Sequence, residues 1–481
     1  MLRIEVRTRE KLHTMRGGIG ASWHAMSRDA PLERERYDYP VRLVNPRGSG
    51  FGGNPPVTDE AAWKQIEAHA EWLGFNWMRV ELSERMFRPE RERFDWDNEE
   101  MQALYRILAW CQSNGADVFL QRMWGHVAWN AFPDVHPLLS APLSLQDFAE
   151  SCATLLKRLV RDLGFGCVKW FCITNEPPGG TWGYWWSTGS YPSVTITPAL
   201  EATCRALDRA DVDVGLSGPD WTDLPVLEEK NIDFDSFIYA YDLHSYQGMD
   251  PGRAAILKRW VDWAHARSKP FFLTEMGNMA LGWGTDNPAP KSFSASLSNA
   301  ETIVRGLRAG VDAFNRWSFT NRGDLDGQWQ LIKTWDRDRK RYLEEIRPEP
   351  AAYYGYALMT RFLAKNATRM ADRCDGDGAD QVLTASMLSP LGHLTTWLVN
   401  LGEVDVPVEV AYADLPNSRI LRRYQATESE VVRPGFTLQP LEEVGIEAGR
   451  SFLTTAPARS VTTLTTYDLA ASDPGVVEEK A

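Results

Sequence analysis

From about residue 17 to residue 355, short apolar runs alternate with stretches whose apolar residues recur every three or four positions. The first pattern reads as buried parallel strand, the second as amphipathic helix. The strand-like runs fall at 18–23, 75–81, 117–121, 168–174, 212–217, 237–243, 270–274 and 314–319. Helical periodicity covers 59–73, 101–113, 145–163, 254–266 and 298–309. Strands and helices in this alternation predict an α/β chain built on a (β/α)8 TIM barrel rather than an open sheet. The segments after the first, fourth and eighth runs are long and rich in Gly, Pro and Trp. That asymmetry is expected when one face of a barrel carries a site.

The pattern changes near residue 351. Residues 351–364 read as a closing helix, and the runs at 381–386, 394–400, 406–410 and 460–467 are short and alternating. They predict a C-terminal β-sandwich accessory domain. The division expected is a barrel over 11–355 and a sandwich over 356–481, with residues 1–10 able to add a strand to the sandwich. The tail after Asp468 is small and acidic, a composition that disfavours order. No internal repeat of solenoid type is present.

A net charge of -13 argues against nucleic acid or an anionic membrane as partner. No stretch reaches the length of a membrane span. Residues 1–7 alternate like a strand and lack the apolar core of a signal peptide, so the chain reads as cytoplasmic. A secreted protein whose signal had been removed would read the same. The six cysteines show no CxxC spacing and, with the eight histidines, no zinc motif, so no metal or cofactor is expected. Twenty tryptophans are many for 481 residues. Flat aromatic faces suit sugar rings, and filling the core of a large barrel is the competing use.

Two glutamates carry the candidate chemistry. Glu176 lies in Ile173-Thr174-Asn175-Glu176-Pro177 and Glu275 in Phe271-Phe272-Leu273-Thr274-Glu275-Met276-Gly277. Each ends an apolar run just before a Pro or Gly breaker, which puts it at the C-terminal mouth of a strand. Two carboxylates at one end of one sheet are the minimum for acid/base-plus-nucleophile chemistry on a glycosidic bond. The alternative is that each is a strand-end residue paired with a lysine or arginine.

Asn-Glu-Pro closing the fourth strand and Thr-Glu-Met-Gly closing the seventh resemble the retaining glycoside hydrolases of clan A, over residues 11–355. The trailing sandwich is similar to that of families 30, 39 and 51, whereas Thr-Glu-Met-Gly and His244-Ser245-Tyr246 are more similar to family 5. The resemblance implies double displacement at a β-type O-glycosidic bond, with Glu176 as general acid/base and Glu275 as nucleophile. Such a mechanism asks Glu176 to be protonated at rest and Glu275 to be ionised and held by donors. Arg79 and Tyr246 are the donors implied, although Arg79 could instead pair with Glu81. Asn175 is implied as donor to the sugar 2-hydroxyl, with turn chemistry as its alternative. His244 is placed to contact sugar or acid, or to be a core histidine satisfied by backbone. Trp317 resembles the platform under the sugar at the cleavage point.

Trp124 and His126 would add sugar contacts, and Trp182, with Tyr184, Trp185 and Trp186, would meet the leaving group. Trp329 is a weaker candidate. Long loops lean toward exo action on small saccharides or glycosides. An endo-acting polysaccharide hydrolase and a non-catalytic carbohydrate-binding barrel are the alternatives. A metal-dependent hydrolase or lyase would need several His and Asp at strand ends, where these strands supply mainly Trp, Asn and Glu.

Overall fold

The computed structural model describes residues 1–25, 54–122, 127–137, 139–177, 186–282, 287–320, 329–336, 339 and 341–468. Strand β1 (Leu2–Thr14) comes first. A closed barrel follows, of β2 (Ile19–His24), β3 (Trp77–Leu82), β4 (Asp117–Arg122), β5 (Val168–Cys172), β6 (Gly215–Trp221), β7 (Ala240–Ser245), β8 (Phe271–Met276) and β9 (Ala313–Arg316). All its pairings are parallel, and β2 closes on β9. The crossover helices are α1 (Glu60–Trp72), α2 (Glu84–Phe87), α3 (Glu99–Ser113), α4 (Leu145–Leu156), α5 (Thr197–Ala210), α6 (Pro251–His265) and α7 (Phe293–Ala309). Their starts are set locally: Asp59, Asn98, Ser144, Asp250 and Ser292 cap the free amides of their first turns.

The strands expected at 212–217 and 237–243 are β6 and β7, which run two to four residues later than the apolar runs predict. Gly218-Pro219 reads as a breaker after Ser217, yet β6 continues through it to Trp221. The segments 26–53, 178–185 and 321–328, which follow the first, fourth and eighth barrel strands, lie outside the described residues.

The alternation of each strand divides barrel interior from barrel wall. Trp77, Phe119, Cys172, Ala240, Phe272 and Ala313 form one buried cluster, with Trp77 and Phe272 ring centroids 4.8 Å apart. Two residues further along these strands the same inward face turns polar, with Arg79, Gln121, Thr174, Asp242 and Asn315 all buried. The barrel is therefore plugged by aromatic and aliphatic groups below a layer that can do chemistry.

After the barrel come the hairpin β10 (Ile332–Asp336) and β11 (Arg341–Pro348), then α8 (Pro350–Thr360). Eight more strands follow: β12 (Thr368–Gly376), β13 (Val382–Leu388), β14 (Leu394–Asn400), β15 (Val406–Tyr412), β16 (Arg419–Thr427), β17 (Glu442–Ile446), β18 (Ser451–Ala456) and β19 (Ser460–Thr465). With β1 they make one nine-stranded mixed sheet, order β17-β16-β19-β14-β13-β12-β1-β15-β18. Its outer strands β17 and β18 return to touch one another, so the sandwich is a rolled sheet closed over Leu2, Ile4, Val6, Leu398, Val408 and Val410. The sheet rests on α8, where Trp397 Nε1 and Thr463 Oγ1 both donate to the Leu358 carbonyl, at 2.8 and 3.0 Å. All six cysteines are free. Among the described residues no helix is long and apolar enough to cross a membrane.

Candidate active site

Glu275 ends β8, but strict alternation would not put it in the barrel. Phe272 faces inward, while Phe271 and Leu273 face the helices, and Glu275 shares their parity. The register against β7 shifts here: Leu243 pairs with Leu273, but His244 pairs with Glu275. One extra residue in β8 forms a bulge that turns the Glu275 side chain into the mouth. The same device recurs in β6, where the register jumps between Pro219 and Trp221 and Asp220 takes φ +56°. Glu176, just past β5, has φ +45°. For a residue with a Cβ these left-handed conformations cost about 1–3 kcal/mol and persist only where the surroundings impose them.

The side chains so aimed converge. A carboxylate oxygen of Glu176, one of Glu275 and a ring nitrogen of His244 all lie within 4.8 Å of one another. Arg79, fully buried, stands 2.6 Å from Glu275 Oε1 and pairs as well with Glu81, so both partners considered for it are engaged. Its other amine donates to Asn175 Oδ1 at 2.9 Å. Burial opposes its charge, but Glu275, Glu81 and Asp220 outweigh this and hold its pKa above the ordinary value. Tyr246 donates its hydroxyl to Glu275 Oε2 at 2.5 Å. Burial and the charge of Glu275 push that phenol well up, so it stays a donor.

Glu275 is held by donors, as expected, but these do not bring it to the ordinary carboxylate range. Burial pushes it up to about 7; Arg79 and His244 pull it down, while Glu176 and Glu81 add to the push. His244 lies between three carboxylates: Nδ1 is 2.7 Å from Glu176 Oε1 and 3.4 Å from Glu275 Oε2, and Nε2 is 3.0 Å from Asp220 Oδ1. It is therefore not a histidine satisfied by backbone. Burial works against its cation, but Glu275 and Asp220 outweigh it and raise the imidazole well above its usual range.

Trp317 follows β9 and is buried, its ring 5.7 Å from the Arg79 guanidinium and edge-on to His24 at 4.9 Å. Trp329 is buried behind Tyr246, with ring centroids 5.8 Å apart. Trp186 is not an open aromatic: it is buried against Phe148 in an edge contact at 6.0 Å. Trp124, His126, Trp182, Tyr184 and Trp185 lie outside the described residues.

The structure adds residues not singled out from sequence. Asp220 accepts from His244, the Glu176 amide and Gln121. His24 pairs with Glu81, and Asn315 accepts the Arg79 amide at 3.2 Å. For Asp220 the available signal was an acid near the C-terminal end of a strand, hidden by ending that strand at Ser217.

Residues 44–306, more than half of the chain, match the family Cellulase (glycosyl hydrolase family 5). No curated protein sequence matches significantly. Among solved structures, a family 30 endoxylanase from Clostridium papyrosolvens is similar at TM-score 0.64 and 13% identity, over 97% of this chain and 100% of that one. An endo-β-1,6-glucanase gives TM-score 0.63 and 14% identity, over 97% and 94% of the two chains. A monomeric β-xylosidase from Caulobacter crescentus gives TM-score 0.60 and 13% identity, over 96% and 99%. At such identities these likenesses speak for the fold, a barrel carrying a terminal sheet. The chain belongs to glycosyl hydrolase family 5, within the clan A glycoside hydrolases, and is a retaining glycosidase acting on carbohydrate.

Proposed function

We propose that this protein hydrolyses β-linked O-glycosides by double displacement, with Glu275 as nucleophile and Glu176 as general acid/base. The observation that carries this reading is the closeness of the two carboxylates, one oxygen of Glu176 lying within 4.8 Å of one oxygen of Glu275. Retaining enzymes hold their carboxyls about 5–5.5 Å apart, and inverting enzymes leave about 6.5–9.5 Å for a water between them. In the first step Glu275 attacks the anomeric carbon while Glu176 gives its proton to the departing oxygen. In the second, Glu176 takes a proton from the water that displaces Glu275 and frees the sugar. Arg79 and Tyr246 fix both oxygens of Glu275. Asn175, tied to Arg79, is placed to meet the sugar 2-hydroxyl. Trp317 offers the flat surface beneath the ring.

We infer further that action is from the chain end, on small saccharides or glycosides; the long segments after the first and fourth strands support a closed pocket. The endo reading draws on the structural neighbours, two of which are named as endo-acting. Incubation with aryl β-glycosides of several sugars and with soluble β-glucans and xylans tests both. Retention is expected by NMR of the first-formed anomer, with single sugars released from the chain end. An α-configured first product would sink the retaining mechanism. A rapid fall in polymer viscosity would replace exo by endo action.

A further inference from the structure

Asp220 is wholly buried on a bulge of β6, in a left-handed conformation at φ +56°. It reaches the acid/base by two routes. Its Oδ2 accepts the backbone amide of Glu176 at 3.2 Å, at the residue whose φ is also positive. Its Oδ1 faces His244 Nε2 at 3.0 Å, and the opposite nitrogen, Nδ1, faces Glu176 Oε1 at 2.7 Å. Gln121 Nε2 gives Asp220 Oδ2 a further hydrogen bond at 3.1 Å. The Asp220 amide donates to Asp242 Oδ1 at 2.7 Å, which fixes the bulge from below.

A carboxylate oxygen at hydrogen-bond distance from each ring nitrogen leaves one stable arrangement when the carboxylates are charged. Both nitrogens carry hydrogens and the ring is an imidazolium. Resting on the acid/base assignment to Glu176, we propose that Asp220 is a positioning residue for that acid/base, acting through a permanently charged His244. The charged ring donates Nδ1–H to Glu176 Oε1 through the whole cycle. That oxygen is thereby occupied, so the transferable proton rides on Oε2, the oxygen left to face the leaving group. When that proton moves to the departing oxygen, the new Glu176 carboxylate is already hydrogen-bonded to a cation, and nothing needs to reorganise. When water attacks, the same oxygen takes a proton back.

The groups facing His244 come from every neighbouring element. They are Asp220 from β6, Glu176 after β5, Glu275 from β8, and Tyr246 after β7, its ring 6.2 Å away and edge-on. Asp242, two residues before it on β7, is pushed up to about 8 by burial and by the charge of Asp220. Asp220 is the carboxylate that meets the ring at Nε2, at 3.0 Å.

The test compares the full-length wild type with Asp220→Asn and Asp220→Glu. Asparagine keeps an acceptor for the Glu176 amide but removes the charge opposite Nε2. The readout is kcat/KM, which reports steps through bond cleavage, on dinitrophenyl glycosides and on alkyl glycosides of the same sugar. For Asp220→Asn a loss of about 10- to 100-fold is expected on alkyl glycosides, which need the proton, and a far smaller one on dinitrophenyl glycosides, which do not. The alkaline limb of the alkyl-glycoside profile should move to lower pH, and Asp220→Glu should recover part of the loss. Equal losses on both substrates with an unmoved limb would overturn the proposal and make Asp220 structural.

The state of the ring is read without catalysis, from the imidazole 15N shifts of His244 in labelled protein, assigned by their loss in His244→Asn. A doubly protonated ring at pH 8 is expected in the wild type, and a neutral one in Asp220→Asn. A neutral ring in the wild type overturns the proposal even if every glycoside is hydrolysed, and the measurement stands even if Asp220→Asn does not fold. A charged ring in a protein that cleaves no glycoside would instead defeat the glycosidase reading and leave the Asp220–His244 arrangement intact.

Discussion

Strands β8 and β9 carry a histidine–carboxylate cluster at each end; burial pushes both carboxyls up, and their partners leave them on opposite sides of the ordinary value. At the N-terminal end Asp312, immediately before β9, faces His13 of β1 at 3.1 Å and His265 of α6 at 2.9 Å. Each of its oxygens also accepts a backbone amide, from Arg16 and from Phe271, both at 2.9 Å. Burial alone would raise this carboxyl, but these hydrogen bonds outweigh it and hold it below the ordinary carboxylate range. At the C-terminal end Glu275 is met by the side chains of Arg79, Tyr246 and His244, and still rises to about 7.

The difference lies in who supplies the donors and who shares them. Asp312 has fixed amides and two rings to itself. The cations at Glu275 are divided among Glu81, Asp220 and Glu176. One cluster is satisfied and joins the terminal sheet to the barrel. The other holds competing anions that share their cations, as expected of a site built for chemistry rather than stability.

The largest effect that would sharpen this contrast is the loss of Glu275. Glu275→Ala should reduce turnover by several orders of magnitude while leaving the fold intact. Added azide or formate should restore activity with inverted product, because a small anion takes the nucleophile's place. Restored activity with retained product would assign the nucleophile elsewhere. Asp312→Asn should do the reverse. It should lower stability by about 3 kcal/mol, since it breaks a buried, fully hydrogen-bonded pair. Its kcat/KM per folded molecule should stay near wild type. A catalytic defect at 25 °C in fully folded Asp312→Asn would break the division between the two ends.

pH separates the clusters next. Glu275 holds its proton more tightly folded than unfolded, so ionising it costs stability as pH rises from its ordinary 4.5 to about 7. Over that window Glu275→Gln should gain on the order of 3 kcal/mol relative to wild type. For Asp312 the sign is opposite: its stabilisation is present above the ordinary aspartate value and is lost as pH falls through its depressed one. The acid limb of kcat/KM, where the nucleophile is protonated, should accordingly lie near pH 7. Equilibrium denaturation and initial rates across pH 4–8 check both statements. An acid limb below pH 5 would mean that Glu275 is as satisfied as Asp312.

Much of this was legible in the chain. The barrel followed from the alternation of runs and helical periods, and the two glutamates from their place before Pro and Gly. What stayed hidden has one physical origin, local departure from period two. Alternation counted from Phe272 would put Glu275 among the helices, and only the bulge at Thr274 reverses it. Asp220 sits on the equivalent irregularity in β6, behind a Gly-Pro that reads as the end of a strand. His24 closes β2 beside a segment outside the described residues, and its partner Glu81 was weighed only as a rival for Arg79. Residue pattern reports strand identity well. It does not report where a strand inserts one residue, and here those insertions aim the chemistry.

The smallest expected effect concerns Trp317, which lies over the charged network at the mouth, a network more fully covered than the lower histidines. His13 and His265 are 23% and 26% exposed, whereas the Glu275 side chain is 6% exposed with the Trp317 indole over Arg79. If burial is what raises Glu275, thinning that cover should let water in and lower the acid limb. Trp317→Ala removes the whole surface and should cost roughly 1–3 kcal/mol of transition-state binding, about five- to 150-fold in kcat/KM. It should also lower the melting temperature, because the ring is buried against His24. Trp317→Phe keeps a flat apolar ring of smaller area and separates these contributions. It should lose only about five-fold in kcat/KM, on the order of 1 kcal/mol, with a downward shift of the acid limb smaller than that of the alanine variant. Unchanged acid limbs in both variants, with activity losses that follow only the unfolded fraction, would make Trp317 a core residue. The high value of Glu275 would then have to be explained by its neighbouring carboxylates alone.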